Sequence, residues 1–119
     1  IVQGLKLPYQ IRNVCTGDLC RKCAKTLDIE AWMPGKGSSG EYGEIGSGSN
    51  CTDYQARRLN IKYLDKGGKK HFVHTLNCTA CAIGRTLIAI LENYQQKDGS
   101  ILVPKVLQKY CGFERIKKK

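Results

Sequence analysis

The chain has 119 residues, 41% of them hydrophobic, which is enough for one domain with a modest core. Its longest apolar run, Leu87 to Leu91, lies between Arg85 and Glu92 and falls far short of the ~20 residues of a membrane span; residues 1–10 also lack the charged start, apolar stretch and cleavage site of a secretory leader. Twenty Lys and Arg against ten Asp and Glu give a net charge of +10, gathered at Arg57, Arg58 and Lys62, at Lys66, Lys69 and Lys70, and at Lys117 to Lys119. A field of that sign attracts polyanions through counterion release, so nucleic acid is the first partner to weigh against a merely solvated basic surface.

In chain order, Ile11 to Thr16 and Lys25 to Met33 have the alternating or apolar pattern of strands, separated by the Gly17-Asp18 turn and a loop rich in Cys and Lys. Pro34 to Gly40 reads as a hairpin connection, and Glu41 to Ser47 as the return strand, whose glycines allow another group to come close to its backbone. Asn50 or Thr52 is placed to cap a short helix over Asp53 to Arg58. Leu59 to Leu64 alternates like a strand, Asp65-Lys66-Gly67-Gly68-Lys69 carries a hairpin signal, and His71 to Leu76 is the expected antiparallel partner.

Thr79 to Gln96 places Ala80, Ile83, Leu87, Leu91 and Tyr94 at helical spacing, with Gly99 to end it. Ile101 to Val103 reads as a short strand, Pro104 as a first-turn proline, and Lys105 to Tyr110 as a final helix stopped by Gly112. Antiparallel strands with helices inserted between and after them indicate an α+β domain, an antiparallel sheet with flanking helices. No Walker sequence is present, and the glycines of Gly35 to Gly40 fall in a hairpin connection between two strands rather than between a strand and a helix, so a bound nucleotide needs another device.

Seven cysteines invite a metal reading. Cys15, Cys20, Cys23 and Cys51 approximate the spacing of a two-iron cluster, and Cys20, Cys23, Cys78 and Cys81 that of a zinc ribbon. Against both, Cys78 and Cys81 fall at an expected helix start and Cys51 precedes another helix, whereas ligand thiolates need loops that wrap the metal. Reduced, partly buried thiols in a reducing compartment are the plainer expectation, with no stoichiometric zinc or iron. Asn50-Cys51-Thr52 and Asn77-Cys78-Thr79 match the N-glycosylation triplet, a pattern short enough to arise by chance.

The stretch His74-Thr75-Leu76-Asn77-Cys78-Thr79-Ala80-Cys81-Ala82-Ile83-Gly84-Arg85-Thr86-Leu87, continuing to Leu91-Glu92-Asn93-Tyr94-Gln95, closely resembles motif 3 of the seryl-tRNA synthetases. Asp28 to Pro34, Ser49 to Arg58 and Val103 to Leu107 followed by Tyr110 and Gly112 are similar to other blocks of that family, in the same order and closer to its bacterial and organellar branch. The resemblance covers about Leu5 to Ile116 and implies part of a class II synthetase catalytic fold over residues 1–119, without the coiled coil, motif 1, the Thr-x-Glu serine site or motif 2. It further implies an enzyme that activates serine with ATP and transfers it to tRNA(Ser), a homodimer when whole, cytoplasmic or organellar, with no membrane association.

Each residue role follows from the same resemblance. Arg85 matches the motif 3 arginine aimed at the ATP phosphates and is the catalytic candidate; a planar, always-charged guanidinium suits that task. Glu44-Ile45-Gly46-Ser47 matches an ATP-contacting stretch in which Glu44 and Ser47 serve Mg bound with ATP, a carboxylate and a hydroxyl being hard-oxygen donors. Asn77 and Thr79 match the serine contact; the plainer reading is that both cap the following helix, and capping could coexist with ligand contact. Where the family commonly has Ser and a small residue, this chain has Gly46 and Gly48, which loosens the strand. Two other readings stand beside the ligase fragment: a noncatalytic basic module derived from a synthetase that binds RNA or a ribosome, and a cysteine-ligated metal protein.

Overall fold

The computed structural model describes residues 1–117; Lys118 and Lys119 of the basic C-terminal run lie outside the described residues. Four strands make the main sheet, in the order β1-β2-β3-β6: β1 Tyr9–Asn13, β2 Lys25–Met33, β3 Glu41–Asn50 and β6 Leu76–Cys78. β2 occupies the span its alternation predicts and ends where Pro34 cannot donate to a ladder. Gly40 closes the β2–β3 connection at φ 88°, a left-handed conformation that favours glycine, and a Cβ there would overlap the Trp32 ring. β3 runs past the expected Ser47, because Gly48, Ser49 and Asn50 pair antiparallel with Cys78, Asn77 and Leu76. β1 starts two residues before the expected Ile11, and all five of its residues are exposed.

After β3 the chain turns through Thr52, whose N–H donates to Asn50 Oδ1 at 3.0 Å. The short helix α1, Tyr54–Leu59, therefore has Asp53 rather than Asn50 or Thr52 at its N-cap, and no side-chain cap bond. Asn60 ends α1 in the left-handed region (φ 54°), which delays the next strand to β4, Lys62–Leu64. The predicted hairpin forms: β4 pairs with β5, Lys70–Phe72, in the register Lys62↔Phe72, Tyr63↔His71, Leu64↔Lys70. Its turn is fastened by Asp65 Oδ1, which accepts N–H bonds from Gly67 and Lys69, both at 2.9 Å. The continuous strand expected over His71 to Leu76 is split instead, because residues from Leu76 onward leave the hairpin to pair with β3.

Helix α2, Ile83–Tyr94, starts four residues later than the expected Thr79. The Ala82 N–H donates to the Ile45 carbonyl at 2.9 Å, holding the chain before α2 against β3 rather than in a helical turn. β7, Ile101–Leu102, follows the expected position, and α3, Lys105–Cys111, has Pro104 at its N-cap and Gly112 at φ 75° as its C-cap. A strand not anticipated from sequence, β8 Arg115–Ile116, pairs antiparallel with β7.

Two compact units divide the chain, one of residues 1–10, 29–45 and 81 onward, the other of residues 11–28 and 46–80. The first holds an apolar core of Leu5, Leu7, Ala31, Met33, Ile45 and Ala89, with Ile29, Ile90, Tyr94 and Leu107 packed against it. The second buries small or polar groups: Cys23, Thr26, Asp28, Cys51 and Ala56. Cys20 and Cys23 are joined as a disulfide rather than held as thiols, since the Cys23 N–H to Cys20 carbonyl turn brings their Cα atoms to 5.3 Å, within bridging range. Cys15, Cys51, Cys78, Cys81 and Cys111 are free, and no group of three metal-binding side chains occurs among the described residues. No described helix is long and apolar enough to cross a membrane.

Candidate functional site

In the first unit, β3 delivers Glu44 and the first turn of α2 delivers Arg85. Arg85 Nη1 donates to Glu44 Oε2 at 3.2 Å, across 41 positions of sequence. The side chains remain 53% and 38% exposed, so the pair contributes at most about 1 kcal/mol and opens at little cost. Two residues predicted to meet the same ligand are thus brought together, each the counter-ion of the other. Around them, Ala82 at the N-cap gives no side-chain cap bond, and no acidic residue stands in the first turn of α2. The leading amides and the helix dipole there favour an incoming anion.

Ile45 has a different place from the one expected. Its side chain is in the apolar core, 3% exposed, and its carbonyl accepts from Ala82. Its structural part is therefore to hold β3 and the start of α2 at a fixed spacing. Ile45 and Gly46 are buried in succession, which interrupts the strict alternation of β3. Glu44 and Ser47, three positions apart, are consequently both half-exposed oxygen donors on one strand. Taken singly, a carboxylate and a hydroxyl are each hard-oxygen donors of the kind magnesium takes.

In the second unit, Asn77 lies within β6 directly opposite Ser49, and Thr79 lies just beyond the strand. Neither caps α2, which begins at Ile83; the capping alternative is therefore excluded by position, and both side chains are exposed. Ser49 Oγ is 3.0 Å from the buried Thr26 Oγ1, which ties β3 to β2 beside Asn77. A Cβ added at Gly46 would lie 3.3 Å from the Thr79 carbonyl, so a glycine here lets the chain after β6 come close. At Gly48 the nearest atom to an added Cβ is the Leu27 carbonyl at 3.8 Å, ordinary contact. The loosening expected from two glycines therefore reduces to one position with a packing reason and one with room to spare.

Sequence reading gave no role to the buried carboxylates at alternate positions of β2. Asp28 pairs with Arg12 at 3.6 Å, and Glu30 accepts from Gln10 Nε2 at 2.7 Å. The D-x-E alternation was the visible signal, since buried carboxylates require such partners. A cavity of about 650 Å³ in the first unit is lined by residues that include Lys6, Tyr94, Leu102, Val103 and Val106, and by none of the predicted site residues.

Residues 2–94 match the family described as the tRNA synthetase class II core domain (G, H, P, S and T). The serine–tRNA ligase of Treponema denticola is 58% identical over 116 residues, which cover 98% of this chain and 27% of that protein. Among solved structures, seryl-tRNA synthetase from Pyrococcus horikoshii complexed with ATP superposes with a TM-score of 0.91 at 53% identity, covering 98% of this chain and 26% of the other. The cytoplasmic serine–tRNA ligase of Naegleria fowleri in complex with AMP gives 0.88 at 48% identity, covering 98% and 27%. The chain spans about a quarter of the length of these relatives.

Proposed function

The chain belongs to the family of class II tRNA synthetase core domains, and we propose that it is the part of a serine–tRNA ligase that supplies motif 3 and the neighbouring ATP strand. The observation that supports this most is the superposition over 98% of the chain on a seryl-tRNA synthetase captured with ATP. In this reading the parent enzyme condenses serine with ATP to seryl-adenylate, releases pyrophosphate, and esterifies tRNA(Ser). Arg85 binds the phosphates through its guanidinium, exchanging the Glu44 carboxylate for phosphate oxygens. Glu44, freed from Arg85, and Ser47 would hold magnesium, which when bound supplies charge neutralisation on the phosphates. Asn77 and Thr79 present exposed polar groups for serine, while Ile45 keeps strand and helix in place. Forming the adenylate also requires charge stabilisation at the α-phosphate and an acidic partner for the serine ammonium, and the family's motif 2 and Thr-x-Glu segments, which this sequence lacks, would provide them.

Serine-dependent exchange of pyrophosphate into ATP tests the reading. The isolated chain is expected to show none, whereas a protein joining it to the upstream remainder of a curated relative is expected to be active. In that protein Arg85→Ala should slow adenylate formation by about 10²-fold or more. Robust exchange by the isolated chain, or full activity without Arg85, would show the catalytic charges to be wrongly assigned.

A further inference from the structure

The connection between β1 and β2 carries a reactive pair that the proposed chemistry leaves unused. Cys20 and Cys23 are bridged, and the two ends of the bridge differ: Cys20 is exposed, whereas Cys23 is buried at 8% and its N–H donates to the Cys20 carbonyl at 2.8 Å. Arg21 and Lys22, both exposed, stand between them in sequence. Such a pair offers one sulfur to an attacking thiol and shelters the other, and neighbouring cations favour the thiolate that forms as the bridge opens. A bridge across so short a span restrains the unfolded chain less than one closing a long loop. Its leverage lies in what the next residues hold.

Those residues fasten β2 to the end of β3. The Ala24 N–H donates to the Asn50 carbonyl at 2.8 Å, Thr26 Oγ1 lies 3.0 Å from Ser49 Oγ, and the Val14 N–H reaches the Thr26 carbonyl at 3.0 Å. Ser49 and Asn50 face Asn77 and Leu76 across the β3–β6 ladder, and the next amide, that of Cys51, donates to the Thr75 carbonyl at 2.9 Å. Directed bonds therefore run without a gap from the bridge to the strand carrying Asn77, all inside the second unit. Cys23 immediately precedes the first of them. Opening the bridge removes the restraint on that turn, and the Ala24 anchor is the first to gain freedom.

We infer that Cys20–Cys23 is a reversible redox switch, opened by dithiol reductants, that tightens the Asn77 strand when oxidised and loosens it when reduced. In the opening step a thiolate of the reductant attacks the exposed Cys20 sulfur, which forms a mixed disulfide and releases Cys23 as a thiol; the reductant's second thiol then displaces Cys20. Two electrons and two protons pass to the cysteines, and the reductant leaves as its own disulfide. Closure is the reverse, with a small disulfide as oxidant. The consequence for serine rests on the role proposed above for Asn77: a strand already ordered lowers the serine KM of the oxidised enzyme.

Amide exchange of this chain, before and after dithiothreitol treatment without denaturant, tests the switch. Alkylation after unfolding should count five thiols in the first sample and seven in the second, and oxidised glutathione should restore five. Reduction should accelerate exchange at Ala24 by about fivefold and at Cys51 by about threefold, below the roughly 20-fold ceiling that so short a loop sets, while Gly67 and Lys69 in the β4–β5 turn change by less than about twofold. Cys20→Ser should show the reduced rates in either buffer, and Cys23→Ala takes its place if that variant does not fold. A bridge that yields only in denaturant, or does not close again, would be a structural bond and overturn the inference. Unchanged amides at Ala24 and Cys51 would overturn it too, as would equal acceleration at Gly67 and Lys69, which would make the effect a loosening of the whole unit. In the protein joined to the upstream remainder of a relative, the serine KM should be about threefold lower in the oxidised form with kcat little changed, and Cys20→Ser should remove the difference. An unmoved KM in an active enzyme would overturn the effect on serine. The exchange measurement contains neither ATP nor serine, so a chain that switches its amides while the completed enzyme forms no adenylate would refute the ligase reading and leave the redox switch standing.

Discussion

Each unit is held internally by a different kind of force. The first buries six apolar side chains in contact, each fully buried aliphatic one contributing roughly 1.5–3 kcal/mol. In the second the buried positions are small or polar, and order comes from directed bonds: Thr26 to Ser49, Thr75 to Gln55 at 2.7 Å, the Asp65 turn, and the Cys20–Cys23 bridge. Burial is non-directional and tolerates a change of polar partner; a hydrogen-bonded unit depends on each geometry and on the state of its titratable and redox groups. The first unit should therefore respond chiefly to lost volume, and the second to solution conditions.

Lost volume gives the largest expected effect. Ile45→Ala removes a buried aliphatic side chain from the first unit's core and should lower stability by about 2–4 kcal/mol, read in denaturant titrations by Trp32, which lies in the same unit. A loss below about 1 kcal/mol would show that this core is not what holds the unit. Reducing the Cys20–Cys23 bridge should come next. The loop it closes is short, so the chain-entropy term is at most about 2 kcal/mol, and amide exchange should accelerate around residues 15–23 without change at Ala31 or Ala89. Acceleration in both units would erase the contrast between them.

Acidification should have the smallest effect. The His71 bond, followed by the turn amides, holds the Asp65 carboxyl below its ordinary pKa. A depressed folded-state pKa contributes stability that is present above the unfolded value and lost as pH falls through the folded one. The β4–β5 turn should therefore loosen below about pH 4, seen as faster exchange of the Gly67 and Lys69 amides, while Asp65→Asn should show no such acid step. Asp98, lowered mainly by the Ser100 hydroxyl, places a similar sensor in the first unit, at the turn before β7. Its loss should leave the apolar core unmoved.

The sequence showed those parts of this arrangement that are local. β2 was legible at both ends because alternation and Pro34 define it, and the hairpin because Asp65 to Lys69 is a turn in its own right. The parting of β5 from β6 was not legible: His71 to Leu76 holds no turn residue, and only the pairing of residues 76–78 with distant β3 separates the two strands. The start of α2 was misplaced for the same reason, since Ala80 and Ile83 keep helical spacing while Ala82 is held by Ile45. No local pattern joins Glu44 to Arg85. Family resemblance alone had put both at one ligand, and the fold supplies the contact between them. The Cys20–Cys23 bridge was equally hidden, because C-x-x-C spacing serves metal, thiol and disulfide alike.

The Glu44–Arg85 contact has a consequence for how the site meets an anion. A guanidinium left alone in water samples many rotamers and carries a hydration shell that any ligand must strip and reorder. Here a resident carboxylate already occupies one edge of it at 3.2 Å. An arriving anion thus makes a swap, one acceptor for another at a donor already aimed, and the released carboxylate becomes available to a cation at the same moment. The two halves of an ion-paired ligand would then be received by a single displacement, and removing either residue should impair reception of both.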